Sequence, residues 1–444
     1  MKKNLKILSL LMLTGIAATA QQPMSLNDCM QYAVDNSLTM KIVQEQNNQT
    51  QTSRRDAIFD AFVPSVNGYV SAGFVSGKNP DPATNMYTDV KMFQDNYQIS
   101  GTMPLFKGFQ SINNLKISKN AVASGQSMEQ LKKDNLCLTT MQAYYNVAYY
   151  QRLATIIAAQ VSDAEKMLEK SQKELQLGSK SRYDVLESES LVSELQYKLA
   201  ETEAQHNAAI ILLKQTINFP MDKDLTIDTA RIVDYADREM IDAQSVANYA
   251  KNNLPEIVIS RYEMEKSKLQ LKTARFQCLP QINLSAGWYS MHSMVVGKFD
   301  EAQSFRDQIR YNAQKSIGVN INIPIFNGLG YFSNTSRQKS AYKIASYEFQ
   351  EKQREMEAAA YKAVDEVAAA EKAVFHAQKS SELQKEYREI TLKKYHQGLV
   401  PYIEYNTVNN KYLQSTAEYL NAVYLLHIKR AIADYYNGKS YINN

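Results

Sequence analysis

The chain has 444 residues, of which 44% are hydrophobic and 22% are charged, and its 50 basic residues nearly balance 46 acidic ones. Without a large basic excess it lacks the electrostatic footprint of a nucleic-acid-binding protein. Three widely spaced cysteines do not suggest a disulfide framework, so Cys29, Cys137 and Cys278 are expected to be buried thiols.

Residues 1–20 have the form of a secretory signal peptide. Three lysines within the first six residues precede an apolar stretch, and the letters ATA at 18–20 match an A-x-A cleavage site. Removal of this segment would leave 47 basic and 46 acidic residues. Beyond it no apolar run is long enough for a spanning helix, so we expect any membrane crossing to be made by strands.

The remaining chain is an internal duplication. YQISGTMPLFKG (97–108) aligns with IGVNINIPIFNG (317–328) at an offset of 220, and the same offset pairs Gly178 with Gly398. Upstream the offset slips, because Pro64 pairs with Pro280 at 216. The predicted organisation is repeat one at about 24–218, a linker at about 219–241, repeat two at about 242–436 and a tail at 437–444.

Both repeats predict the same elements in chain order. An opening helix, at about 25–59 or 243–275, leads through a proline into a strand near 66–74 or 282–288. A turn-rich loop at 76–85 or 291–314 separates it from a second strand at 96–106 or 316–326. A helix of about 67 residues, roughly 100 Å long, then runs to Gly178 or Gly398, where a left-handed C-cap is expected. A last helix returns and ends near Phe219 or Asn437.

The long helices carry a seven-residue spacing that is typical of coiled packing. Either a solvated two-helix hairpin, the commoner arrangement, or a wall of neighbouring helices would bury such a seam. The spacing is seen at Tyr342, Phe349, Met356, Ala363, Ala370 and Ala377.

The second strands have two unlike faces. In SIGVNINIPIFNGLG (316–330) isoleucine and valine alternate with small or polar uncharged residues, and Gln98, Ser100 and Thr102 are polar in repeat one. Four strands with open edges cannot lie in lipid. Two chains would close a barrel of eight strands that is filled by its own side chains, and three chains would close one of twelve strands that is wide enough for water. We therefore expect a channel built by several chains, although a single such strand would also suit a soluble sheet. Tyr69, Trp288 and Tyr289 could mark the bilayer interface or simply pack.

The duplicated motifs resemble the TolC-like outer membrane efflux and secretion channels. They are the Ala-x-x-Asn helix openings at 33–37 and 250–254, the strand exits PLFKG (104–108) and PIFNG (324–328), and the helix breaks at 178–184 and 398–404. The resemblance implies an α+β membrane protein: a protomer that gives four strands to the outer-membrane β-barrel of a homotrimer, continued by a long periplasmic α-helical barrel. The linker and the tail would form a belt around the helices.

The implied function is the exit duct of a tripartite efflux or type I secretion system in the outer membrane of a Gram-negative bacterium. Its implied partners are outer membrane lipid, a periplasmic adaptor (membrane fusion) protein and an inner-membrane RND, ABC or MFS transporter. No catalytic, cofactor or metal site is expected, because the histidines lack ligand spacing and no phosphate loop or nucleophile motif is present. The alternative is a soluble periplasmic coiled-coil adaptor or scaffold protein, which the duplicated alternation of hairpins and strand pairs disfavours.

By motif position, the resemblance places a pore constriction at the two helix-to-helix turns. In the family, acidic rings and a hydrogen-bonded group that contains a tyrosine close the tunnel here. This chain departs from that pattern, because Val400 and Thr407 stand where an arginine and a second acidic residue can occur. Carboxylates repeated around a threefold axis would attract cations, although an acidic residue near a helix start can serve its dipole alone. The constriction is assigned to Asp184, Glu187, Tyr395 and Glu404, and the adaptor contact to Gly178, Ser179, Gly398 and Leu399, which would also cap their helices.

Overall fold

The computed structural model describes residues 23–80, 86–229, 242–297 and 303–442. The predicted signal peptide and the linker segment 230–241 lie outside these residues. No helix in the described ranges is long and apolar enough to cross a bilayer. In chain order the elements are α1 (Leu26–Asn36), α2 (Leu38–Phe62), β1 (Ser65–Pro80), β2 (Tyr87–Lys107), α3 (Gln110–Gln176), α4 (Arg182–Ile217), α5 (Ala243–Asn253), α6 (Pro255–Arg275), β3 (Gln281–Val295), α7 (Phe305–Tyr311), β4 (Gln314–Asn322), α8 (Gly330–His396) and α9 (Tyr402–Tyr436).

The single opening helix predicted for each repeat is wrong, because each consists of two helices separated by one extended residue. In repeat one the break is Ser37, whose hydroxyl accepts a hydrogen bond from the Thr39 amide at 3.1 Å and so caps α2. In repeat two it is Leu254, and the following Pro255 disfavours helical backbone in the residue before it. The two repeats therefore bend at equivalent places for different local reasons.

The four strands form one antiparallel sheet in the order β1-β2-β3-β4. In repeat one β1 extends to Pro80, into the predicted loop at 76–85, of which 81–85 lies outside the described residues, and β2 begins at Tyr87, before the predicted start at 96. In repeat two the predicted strand at 316–326 ends early, at Asn322, two residues before Pro324, which has no amide to donate. The equivalent Pro104 in β2 coincides with a register shift.

The helix α7 lies in the predicted loop between β3 and β4 and covers a part of β3 that β4 does not reach. The Gln308 side chain bonds both the amide and the carbonyl of Ser293, at 3.0 and 3.1 Å, and Asn312 donates to the Met291 carbonyl at 2.8 Å. These bonds satisfy backbone groups that would otherwise form an open strand edge. Beside them His292 lies 2.7 Å from Asp95, and both are buried.

The strand register places unlike residues on the two faces of the sheet, as the alternation predicted. On one face Val66 and Ile317 belong to the same cross-strand row and are 68% and 79% exposed. On the other face three rows that cross all four strands are polar or glycine, and we call them the polar rows. The first joins Ser65, Thr102, Ser285 and Gly318, the second Asn67, Ser100, Gly287 and Ser316, and the third Tyr69, Gln98, Tyr289 and Gln314.

The long helices have the predicted bounds. α3 and α8 each contain 67 residues, and each begins after a left-handed pair, Gly108 with Phe109 or Gly328 with Leu329. They do not form isolated hairpins: one buried cluster joins side chains of α3, α4, α8 and α9, which is the wall of neighbouring helices. Met356, Ala363 and Ala370 of the seven-residue spacing are also buried, but in other clusters: Met356 packs with α5 and α6, and the two alanines pack with side chains of α3, α4 and α9.

A second cluster lies where the described parts of the linker and the tail cross the helices. Leu225, Ile227 and Tyr441 pack with α1, α3 and α4, and Met24 forms a β-bridge with Ile227. Cys29 and Cys137 are buried as predicted. The prediction is wrong for Cys278, which is exposed in the turn between α6 and β3.

The left-handed glycines after the second strands provide a matched pair for a stability test. At Gly108 (φ 57°) a Cβ would collide with the carbonyl of Phe276, whereas at Gly328 (φ 64°) it would meet open space. Gly328→Ala should cost only the backbone strain, about 1–2 kcal/mol, and Gly108→Ala about 2–4 kcal/mol in total. Thermal unfolding in detergent would measure both, and equal losses would show that the carbonyl can move aside.

Candidate functional site

The first helix tip joins α3 to α4 through a left-handed glycine, as predicted. Gly178 has φ 77°, its amide donates to the Leu175 carbonyl at 3.0 Å, and the Ser179 amide donates to the Glu174 carbonyl at 2.9 Å. These two bonds use carbonyls that the helix end leaves without partners. Both Gly178 and Ser179 are exposed, so this tip combines a structural cap with a free surface.

Asp184 closes the start of α4 in a reciprocal cap with Ser181. Its carboxylate accepts bonds from the Ser181 hydroxyl at 2.7 Å and the Ser181 amide at 2.8 Å, while its own amide donates to that hydroxyl at 3.3 Å. These bonds from Ser181 lower the pKa of Asp184. Asp184 therefore caps the start of α4, which was one of its two predicted roles. The capping bonds use part of the hydrogen-bonding capacity of its carboxylate.

The second tip, between α8 and α9, lacks this cap. Gly398 has φ 71° and the Leu399 amide donates to the Lys394 carbonyl at 3.0 Å, matching the first tip. The N-cap of α9, however, is Pro401, which has no side-chain acceptor. Glu404 is exposed in the first turn and accepts no side-chain bond from the described part of the chain. Its carboxylate is thus more available than that of Asp184.

Tyr395 brings the end of α8 against the first tip. Its ring stacks on Tyr405 at 5.7 Å, and Lys180 lies 5.5 Å from its centre. Burial raises the pKa of Tyr395, opposed by a hydrogen bond with Ser188 of α4. Asp184 and Glu187 also act on this hydroxyl electrostatically, so three of the four predicted constriction residues lie near one another.

Glu187 has a neighbour of its own within the first turn of α4. The Tyr183 hydroxyl hydrogen-bonds its carboxylate, and this bond raises the pKa of Tyr183. Tyr183 is largely exposed, so the pair sits at the surface of the tip. Glu187 itself is half-buried, and its carboxylate is oriented by a residue of its own helix.

A buried set of polar side chains, which the sequence did not predict, joins the α3–α4 hairpin to the α8–α9 hairpin. We call it the Asn409 network. Arg388 Nε donates to Asn409 Oδ1 at 2.8 Å, and Asn409 Nδ2 donates to Gln160 Oε1 at 3.2 Å. Arg388 also bonds the Tyr405 hydroxyl and lies 3.8 Å from Asp163. The network thereby connects α3 with α8 and α9.

A second polar group joins α9 to α4. Lys198 donates to Asn410 and to Glu194, each at 2.7 Å, and Asn406 donates to Glu194 at 3.3 Å. The Lys198 ammonium is the largest cause of the lowered pKa of Glu194. NTVNN (406–410) places its three asparagines on one side of a helix, and this pattern could have predicted a polar contact surface.

Comparison with known proteins finds a family model that matches part of the chain and solved structures with the same fold. Residues 246–431 match the sequence model of the family described as outer membrane efflux protein. The alkaline protease secretion protein AprF of Pseudomonas aeruginosa is 20% identical over 230 residues, which cover 50% of this chain and 45% of AprF. The chain thus spans less than half the length of that curated relative.

Two solved structures share the fold over nearly the whole chain. The CmeC outer membrane channel of Campylobacter jejuni has a TM-score of 0.76 at 14% identity, covering 94% of this chain and 87% of CmeC. The outer membrane protein VceC of Vibrio cholerae has a TM-score of 0.73 at 14% identity, covering 94% of this chain and 96% of VceC. The predicted fold class is confirmed.

Proposed function

Since residues 246–431 match the model of the outer membrane efflux protein family and the chain shares the fold of solved outer membrane channels, we propose that the protein is the exit duct of a tripartite efflux or type I secretion system. It passes substrates passively from an inner-membrane transporter and a periplasmic adaptor to the outside. The energy comes from that transporter, of the RND, ABC or MFS class.

The sheet supports this proposal most directly. Over the described residues it has four strands, two edges that no further strand pairs with, and an exposed apolar face. Lipid tolerates no open edge, so further copies must supply the missing pairing. Three copies give twelve strands, which enclose a water-filled lumen and turn the apolar face to lipid. The proposed assembly is therefore a homotrimer.

The helical part supplies the periplasmic section of the duct. Helices of 67 residues are roughly 100 Å long and place both tips far from the sheet. Leu399 is 68% exposed beside Gly398, and Ser179 is exposed beside Gly178. We propose that these four residues contact the adaptor, because backbone and apolar surface at an exposed turn are available to a protein partner.

The constriction is proposed at the same tips. Tyr395 positions the second hairpin against the first, and Asp184, Glu187 and Glu404 supply carboxylates that a threefold axis repeats around the entrance. Glu404 is the strongest candidate for an ion-attracting ring, because its carboxylate is exposed and no capping bond uses it.

Glu404→Gln tests this assignment in planar bilayers. Replacing three carboxylates with amides should lower the single-channel cation preference severalfold, because the local concentration of cations falls. Glu418→Gln is the matched control, since Glu418 lies on the same helix about 21 Å deeper and is also exposed. Unchanged selectivity in Glu404→Gln would remove Glu404 from the constriction.

Extraction separates the duct from the alternative, a soluble periplasmic adaptor or scaffold. A duct should require detergent and should migrate as an oligomer, because its exposed isoleucine and valine face needs lipid. A chain that is released by buffer alone as a single copy would exclude the duct.

A further inference from the structure

The polar face of the sheet carries no fixed charge where all four strands are paired. The three polar rows contain serine, threonine, asparagine, glutamine, tyrosine and glycine, and none of their twelve positions is acidic, basic or histidine. Charged residues make up 22% of the chain, so an uncharged set of this size on a solvent-facing surface is notable. The helix tips differ, because carboxylates and lysines are frequent there.

Hydrogen bonds within this face already orient several of its dipoles. Asn96 donates to the Ser71 hydroxyl at 3.3 Å and accepts from the Tyr289 hydroxyl at 2.8 Å. Asn320 donates to Ser285 at 2.9 Å, and Ser285 donates to the Gly318 carbonyl at 3.3 Å. Such side chains offer solutes many weak contacts and no strong ionic one. Weak binding at many points is what conduction requires.

We propose that the sheet is an electrically neutral section of the duct, which passes cargo of either charge and leaves all charge discrimination to the helix tips. This inference rests on the proposed exit-duct function. Passage through the sheet is governed by size and hydrogen bonding. Its bulkiest lining is the third polar row, where Tyr69 and Tyr289 flank Gln98.

Thiol modification with charged reagents tests the proposal in the full-length protein in lipid vesicles. The exposed native thiol is removed first by Cys278→Ser, while Cys29 and Cys137 are buried and can remain. Ser316→Cys then reports on the second polar row, and Thr407→Cys reports on the tip near Glu404. The probes are a trimethylammonium and a sulfonate methanethiosulfonate, with rates normalised to a small free thiol.

At Ser316→Cys we expect the normalised cationic and anionic rates to agree within about twofold. At Thr407→Cys the cationic reagent should be favoured about tenfold or more, because clustered carboxylates concentrate cations. Adding Gln314→Glu beside Ser316→Cys, about 7 Å along the strand, should raise the cationic rate severalfold and show that the assay detects a fixed charge. Val319→Cys, on the apolar face, should react with neither reagent.

A cationic or anionic bias at Ser316→Cys as large as that at Thr407→Cys would overturn the neutral section. The absence of any reaction at Ser316→Cys in protein that forms conducting pores would also overturn it, because the polar rows would then not line the water path. If the unmodified chain forms no pore in planar bilayers, the exit-duct proposal itself fails.

Discussion

Asn409→Leu should lower the apparent free energy of unfolding by about 2–4 kcal/mol. The substitution keeps the size of a buried side chain but leaves Arg388 Nε without its acceptor and Gln160 Oε1 without its donor. Both groups are buried between the hairpins, where water replaces a lost bond poorly. Urea unfolding of the detergent-solubilised protein measures the loss.

Asn410→Leu is the matched control. Asn410 is one residue away, also bonds across hairpins, and is only half-buried, so water can solvate Lys198 after the change. Its cost should stay below about 1 kcal/mol. Adding Arg388→Met to Asn409→Leu should recover part of the loss, because both members of the charged bond are then absent. Equal costs at 409 and 410 would contradict a special role for the buried network.

Asp134→Asn should stabilise the protein at pH 8. Asp134 is 5% exposed, Gln130 donates to it at 2.8 Å, and burial raises its pKa to about 6. Because the folded pKa lies above the ordinary aspartate value of 3.8, the folded state holds the proton more tightly than the unfolded state. The stability that the Asp134 carboxyl contributes is therefore fully present below about pH 4 and is lost as the pH rises through about 6.

An asparagine avoids this loss, since it cannot ionise and can still accept from Gln130. The gain at pH 8 should be about 2–3 kcal/mol and should shrink below pH 5. Asp184→Asn should behave oppositely, because the lowered pKa of Asp184 means that its carboxylate stabilises the fold at neutral pH. Thermal unfolding of the three proteins between pH 4 and pH 8 measures both signs. A stability change for Asp134→Asn that is the same at every pH would refute the burial argument.

Features with a local cause could be predicted from the sequence. The bounds of α3 and α8 follow from the left-handed glycines at each end and from the absence of proline between them. The break before Pro255 had a visible local signal that the prediction overlooked, whereas Ser37 gives a weaker one. The length of β1 and β2 depends on pairing between strands, which single-strand patterns do not specify.

The candidate site divides in the same way. The glycine caps and the acidic residues of the first turns were predictable, because each involves residues only a few positions apart. The Asn409 network was not, since Gln160, Arg388 and Asn409 meet only when the two hairpins pack. The exposure of Cys278 likewise depends on how the turn after α6 leaves the helical wall.

The register between β2 and β3 has a consequence for assembly, because it joins the two halves of a duplicated chain. Ile99 of repeat one faces Trp288 of repeat two there. At the offset of 220 Ile99 corresponds to Val319 in repeat two, and at the offset of 216 Trp288 corresponds to Ala72 in repeat one. In the proposed trimer, quasi-sixfold geometry would make Val319 at the free edge of one copy face Ala72 at the free edge of the next, with both on the apolar side. The seam inside each polypeptide would thus be a template for the seams between polypeptides.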